Sequence, residues 1–200
     1  MRLGRILYPV TALGPGKRLG IWVSGCERDC PGCANPELKS FSGPEIPAEM
    51  FLSMCRSAIK SYLLDGITIT GGEPMLQAGE LLPAVKECKK ICPDILVFTG
   101  YTYRELKEMN RPEVNEFLSL ISVLVDSPYI QERNRGEILR GSDNQNILYL
   151  EEQYREKYER YINENRHVVD SFAADKGVIY AGIHPGEGME KWPGHQPDLR

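Results

Sequence analysis

The chain has 200 residues, of which 42% are hydrophobic and 26% charged, with a formal net charge of −4. That balance suits one sizeable globular domain, and it lacks both the basic excess of a nucleic-acid binder and the low hydrophobicity of a disordered chain. No apolar run approaches the ~20 residues needed to cross a bilayer, so neither nucleic acid nor membrane is expected as a partner.

The opening MRLGRILYPVTALGPG lacks the continuous apolar core and small-residue cleavage site of a signal peptide. A cytoplasmic location is expected, where thiols stay reduced. GPGKR, at residues 14–18, reads as a tight turn. From there apolar runs with strand character alternate with helix-length amphipathic stretches. Strands are predicted over Leu19–Ser24, Gly66–Thr70, Ile95–Thr99, Ile121–Val125, Asn146–Leu150 and Gly177–Ile183. Helices are predicted over Pro47–Leu64, Ala78–Ile91 and Tyr103–Asn110, with Pro47 in a first turn and Cys92-Pro93 as a stop. The stretch 151–166 carries Tyr154, Tyr158 and Tyr161 on one helical face. The pairs Glu151–Arg155 and Glu156–Arg160 lie four apart, as on an outer helix laid against the body.

The alternation predicts an α/β fold, a partial (β/α) barrel of about six mainly parallel strands with outer helices. Residues 1–186 read as one domain and 187–200 as an irregular tail. Four predicted strand ends run into loops of unusual composition, SGCERDCPGC, TGGEP, TGYT and DSPY, and strand ends are where α/β barrels place their chemistry.

Cys26, Cys30 and Cys33 form CxxxCxxC, three thiolates with no fourth nearby. A zinc site completed by His167, His184 or His195 is one reading, but structural zinc sites draw paired knuckles from two segments, and no second knuckle is present. The stronger reading is a [4Fe-4S] cluster with three irons held by Cys26, Cys30 and Cys33 and the fourth open to a non-protein ligand. Cys55, Cys88 and Cys92 fall in helical stretches and read as buried core residues rather than ligands of a second cluster. Trp22 reads as packing, and Trp192 as part of the tail.

CxxxCxxC after the first predicted strand, followed by GGEP after the second, resembles the radical S-adenosylmethionine superfamily. Within it, GPGKRLGIWVSGC, CPGCANPE, GITITGGEPMLQ, VFTGYTYREL, LVDSPYI and LRGSDNQNI resemble the activating enzymes of glycyl-radical proteins, the group that contains the activases of anaerobic ribonucleotide reductases. The likeness runs from Gly14 to about Ile147, roughly two thirds of the chain.

The resemblance implies that S-adenosylmethionine binds the open iron through its amino and carboxylate groups. Glu73 would accept a hydrogen bond from the methionine ammonium, Gly71 and Gly72 would let the strand end approach the cofactor, and Pro74 would complete the turn. Thr99, Gly100 and Tyr101 are implied along the ribose or methionine side, with Asp126 near the pocket. Arg140, Gly141, Ser142, Asn144 and Gln145 match the group's RGSxNQ segment, as a loop brace or as a cofactor or partner contact. Two departures stand out. Leu13 replaces a common aspartate, and Gly32 and Ala34 leave the third cysteine without an aromatic neighbour for adenine, so that Asn35 is the nearest polar candidate.

The reaction implied is reductive cleavage of S-adenosylmethionine to a 5′-deoxyadenosyl radical that abstracts a glycine hydrogen in a glycyl-radical partner. A small flavodoxin- or ferredoxin-like protein would donate the electron. The rival readings keep the radical but direct it to a small nucleobase-like molecule or a peptide, or make the chain a non-catalytic electron carrier or zinc module.

Overall fold

The computed structural model describes residues 1–164, 167–174 and 177–183. Six strands form one open sheet in chain order: β1 (Leu3–Val10), β2 (Arg18–Val23), β3 (Gly66–Gly71), β4 (Ile95–Phe98), β5 (Val123–Asp126) and β6 (Asn146–Tyr149). The inner four run parallel, while β1 and β6 pair antiparallel at the edges. Five of the six expected strands lie in this sheet. The sixth does not: among the described residues β8 (Gly177–Ala181) pairs only with β7 (Asp170–Ala174), in a separate hairpin. The sheet's remaining strand, at the edge beside β2, is β1, whose Gly4, Pro9 and two register shifts disguise a strand in the sequence.

Side chains alternate across the sheet with period two. Ile21, Ile69, Val97 and Leu124 face one side, where α1 (Ala48–Tyr62), α2 (Ala78–Lys89) and α4 (Pro112–Leu118) bury Phe51, Leu81 and Phe117 against them. Each such fully buried side chain stabilises the fold by about 1.5–3 kcal/mol. The expected helix stretches hold α1, α2 and α3 (Tyr103–Glu108); Thr102 and Glu105 form a capping box that starts α3. Helix α4 was not expected; it is seven residues long and marked in the sequence only by Pro112 at its start.

The opposite face carries Trp22, Leu96, Phe98, Val123 and Val125. It is covered by the hairpin and by α5 (Arg155–Glu164). Tyr158 is fully buried, and Tyr154 and Tyr161 pack beside it, as the stripe predicts. The charge pairing differs in part from expectation. Glu156 does pair with Arg160 at 2.8 Å, but Arg155 turns to Glu152 and Glu159, because Glu151 is engaged by Lys89.

GPGKR does more than turn the chain. Gly14 and Gly16 adopt φ of +122° and +79°, after which Arg18 opens β2 fully buried. Its guanidinium donates to Thr68 Oγ1 at 2.7 Å, to the Ile67 carbonyl at 2.8 Å and to both Asp94 carboxylate oxygens at 3.1–3.2 Å. Tyr158 Oη donates to the same carboxylate at 2.6 Å, and so helix α5 is fastened to the sheet.

The pairing register levels the carboxyl ends of the parallel strands: Val23 stands opposite Gly71, Ile69 opposite Val97, and Phe98 opposite Val125. The unusual loops therefore leave the sheet side by side. No described helix is long and apolar enough to cross a membrane.

Candidate functional site

Just past these strand ends lies a cavity of about 690 Å³, a size suited to a cofactor. Cys26, Cys30 and Cys33 line one wall, and Gly71, Gly72 and Glu73 line the adjoining one. The cysteine loop is held by its backbone: Gly25 N–H donates to the Leu38 carbonyl at 2.8 Å and Cys26 N–H to the Lys39 carbonyl at 3.0 Å. Cys33 N–H closes a turn onto the Cys30 carbonyl at 3.2 Å. Burial pushes the Cys26 and Cys33 thiols up from their ordinary value, partly opposed at Cys26 by the Arg28 N–H, 3.4 Å from Sγ. Ligation of iron would release those protons.

The two motifs touch. Glu73 N–H donates to the Gly25 carbonyl at 2.9 Å, and Gly72 N–H to the Val23 carbonyl at 2.8 Å. A Cβ on Gly72 would lie 2.3 Å from the Gly25 oxygen, closer than any side chain tolerates, and Gly71 has φ of +107° with the Val23 backbone against it. Both glycines are therefore set by a close backbone approach.

Glu73 is 1% exposed. Its carboxylate accepts from Met75 N–H at 3.0 Å, Thr99 Oγ1 at 2.7 Å and Gly100 N–H at 2.8 Å. Burial raises its pKa, although these three donors pull the other way. A carboxylate offers about four acceptor sites, which leaves one for a donor in the cavity. Thr99 and Gly100 line the same wall. Asn35 also lines the cavity, with its Oδ1 accepting from Arg5 at 2.8 Å.

Three expected residues lie elsewhere. Pro74 begins the short 3-10 helix Pro74–Gln77 behind the wall. Tyr101 lies beneath the Arg28 guanidinium, 4.4 Å from ring centre to Cζ, and is not on the cavity surface. Asp126 is likewise off that surface. Its carboxylate accepts from Tyr103 N–H at 2.7 Å, Asn146 Nδ2 at 2.8 Å and Ser127 Oγ at 3.0 Å, so it fastens the start of α3 to β5 and β6. The RGSDNQ loop is a brace: Gln145 accepts from Gly141 N–H at 2.8 Å and donates to the Ser127 carbonyl at 3.0 Å, while Asn144 donates to the Pro128 carbonyl at 2.8 Å. Gln145 and Gly141 also present a surface to the cavity.

Sequence reasoning missed Arg28, which sits inside the CxxxCxxC spacing and lines the cavity, and the hairpin segment 180–183 on the facing side. The charge of Arg28 within a cysteine loop was a usable signal; the hairpin left none. Trp22, expected only to pack, is 4% exposed and forms part of the cavity lining.

For the zinc alternative, His167 bonds the Gly136 carbonyl at 2.8 Å, and His184 and His195 lie outside the described residues, as do Trp192 and the tail. Among the described residues no group of three or more His, Cys, Asp or Glu converges as a single metal ion requires.

A family described as a 4Fe-4S single cluster domain matches residues 12–148. The anaerobic ribonucleoside-triphosphate reductase-activating protein of Haemophilus influenzae is 36% identical over 148 residues, 70% of this chain and 93% of that protein. The protein of the same description in Escherichia coli is 34% identical over 155 residues, covering 72% and 96% of the two chains. That of Enterobacteria phage T4 is 28% identical over 146 residues, covering 70% and 90%. With three thiols and the GGEP turn on one cavity and a likeness of this extent, the chain belongs to the 4Fe-4S single cluster domain family, among the anaerobic ribonucleoside-triphosphate reductase-activating proteins.

Proposed function

We propose that this chain activates an anaerobic ribonucleoside-triphosphate reductase by generating a radical on a glycine of that partner, using a [4Fe-4S] cluster and S-adenosylmethionine. The observation that carries the reading is the meeting of the CxxxCxxC thiols and the Glu73 carboxylate on one cavity at the level ends of β2 and β3. When bound, the cluster supplies the electron that breaks the S–C5′ bond of S-adenosylmethionine, giving methionine and a 5′-deoxyadenosyl radical able to take an α-hydrogen from glycine.

The donor set fits such a cluster: three thiols, no fourth, and an acidic side chain in the same cavity. Cys26, Cys30 and Cys33 would hold the three irons. Glu73 would accept the methionine ammonium at its remaining acceptor site, while Gly71 and Gly72 keep side chains out of the way. Thr99 orients Glu73, and Gly100 and Asn35 offer further polar contacts. Pro74 and Asp126 act through position, the first by fixing the turn after Glu73 and the second by fixing the loop after β4.

Four parallel strands with level ends and loops gathered on one side support the reading of a partial (β/α) barrel, with residues 1–186 as its domain. A flavodoxin- or ferredoxin-like protein fits the need for a low-potential electron, and a cytoplasmic setting fits three reduced thiols.

The test is anaerobic reconstitution followed by electron paramagnetic resonance. About four irons per chain are expected, with a cluster signal altered by S-adenosylmethionine and a glycyl doublet on the reductase once reductant is added. A signal indifferent to S-adenosylmethionine, or a reductase left without the doublet, overturns the proposal.

A further inference from the structure

The cavity has two chemically different ends. The polar end holds the thiols and Glu73. The other is built from Leu13, Trp22 and Phe98 on the sheet side and from the β8 segment across from them, where Ala181 and Ile183 pack into the same apolar cluster. The hairpin that supplies this second side lies beyond the family match, which ends at residue 148. It is nonetheless firmly placed. The Asp170 carboxylate accepts from Thr11 N–H at 2.7 Å, Thr11 Oγ1 at 2.8 Å and Ala12 N–H at 2.8 Å, clasping the start of β7 to the end of β1.

The cysteine loop offers no aromatic side chain to the cavity. Ala34 is small, and Gly32 has φ of +67°, where a Cβ would meet Gln131 Oε1 at 2.9 Å. An aromatic face for a purine must then come from elsewhere on the cavity. Two tyrosines line it, Tyr129 from the loop after β5 and Tyr180 from the hairpin. Among the described residues β8 is paired on one side only, which leaves backbone N–H and C=O groups on its second edge, with Gly182 adding no side chain to obstruct them.

We propose that the C-terminal hairpin is the nucleoside wall of the cofactor cavity, with Tyr180 stacking on the purine and the free edge of β8 meeting its polar rim. This rests on the S-adenosylmethionine reading above and assigns a ligand contact to a part of the chain outside the family match.

The test compares reconstituted wild type with Tyr180→Ala, Tyr180→Phe and Asp170→Ala by equilibrium binding of S-adenosylmethionine and of 5′-deoxyadenosine, which carries the nucleoside without the methionine. Loss of a base-stacking ring is expected to weaken both ligands by about tenfold in Tyr180→Ala, with near-wild-type binding in Tyr180→Phe. Asp170→Ala, which unclasps the hairpin, should weaken both as well. The effect of free methionine on the cluster signal should stay unchanged in Tyr180→Ala. Equal nucleoside affinity in wild type and Tyr180→Ala, with wild-type cluster signals still responding to S-adenosylmethionine, overturns the hairpin assignment alone. A wild-type cluster that ignores S-adenosylmethionine overturns the functional reading and this assignment with it.

Discussion

The Thr99 hydroxyl donates to the Glu73 carboxylate at 2.7 Å, tying the end of β4 to the turn after β3 inside the cavity wall. Glu73 thus has two duties, to brace two strand ends and to present a carboxylate to the cavity. Gln at this position would retain one acceptor oxygen but turn an NH2 group toward either Gly100 N–H or the Thr99 and Met75 donors. A buried donor facing a donor costs about 1–3 kcal/mol. Glu73→Gln is therefore expected to lower the urea midpoint and weaken S-adenosylmethionine binding while keeping full iron content; loss of iron equal to that of a cysteine variant would refute the division of roles.

Gly72 should tolerate no side chain. Its missing Cβ would lie 2.3 Å from a backbone oxygen of the cysteine loop, and that oxygen is fixed by the Glu73 N–H. Gly72→Ala must push the two motifs apart, displacing the thiols relative to Glu73. We expect reduced cluster incorporation as well as weaker cofactor binding, measured by iron analysis and by titration. Gly79 provides the contrast, since its nearest neighbour to an added Cβ is the Glu113 side chain at 3.5 Å, an ordinary contact. Gly79→Ala should leave both properties unchanged.

The chemistry was legible where it is local in sequence. Three cysteines within eight positions and four consecutive residues of GGEP carry their meaning without knowledge of the fold, and the strands before them are short apolar runs. What escaped depends on long-range register. Arg18 looks like the end of a basic turn until β2, Asp94 and Tyr158 are brought together. Asp126 looks like a cavity carboxylate until Asn146 and the Tyr103 N–H arrive to occupy it. The 177–183 run has genuine strand character, but its pairing with β7 rather than with the sheet is decided by where Asp170 docks, which no local pattern records.

Arg18 and Asp94 form the buried pair on which α5 depends. Burial works against the Asp94 charge, but the Arg18 guanidinium and the donors from Arg18, Lys157 and Tyr158 outweigh it and hold the carboxyl below its ordinary value. Removing the guanidinium leaves the buried Asp94 carboxylate with Lys157 and Tyr158 alone, so Arg18→Met is expected to cost stability, up to the ~3–5 kcal/mol of a buried pair broken outright. The pH dependence follows from the direction of the shift. A lowered pKa in the fold contributes stability above the unfolded value, about 3.9 for Asp, and that stability is lost as pH falls through the folded value. Asp94→Asn should be less stable than wild type at neutral pH and lose less on acidification. Parallel acid limbs for the two proteins in urea midpoints would contradict this.

Cys55, Cys88 and Cys92 test the single-cluster assignment. All three are buried in the helix-side core, remote in kind from the half-exposed thiols of the loop. Burial pushes the Cys92 thiol up to about 11, and its Sγ donates to the Leu64 carbonyl at 3.7 Å. A buried thiol kept protonated, as Cys92 is, serves packing, since iron takes the thiolate. Replacing all three by Ala should lower thermal stability through the cavities left behind. Iron content should stay at the wild-type value, and the cluster signal should respond to S-adenosylmethionine as before. Cys30→Ala should do the reverse, losing the cluster with little change in the stability of the iron-free chain. Iron analysis of the two variants side by side decides the matter, and a fall in iron in the triple variant, with its fold intact by circular dichroism, would require a second cluster.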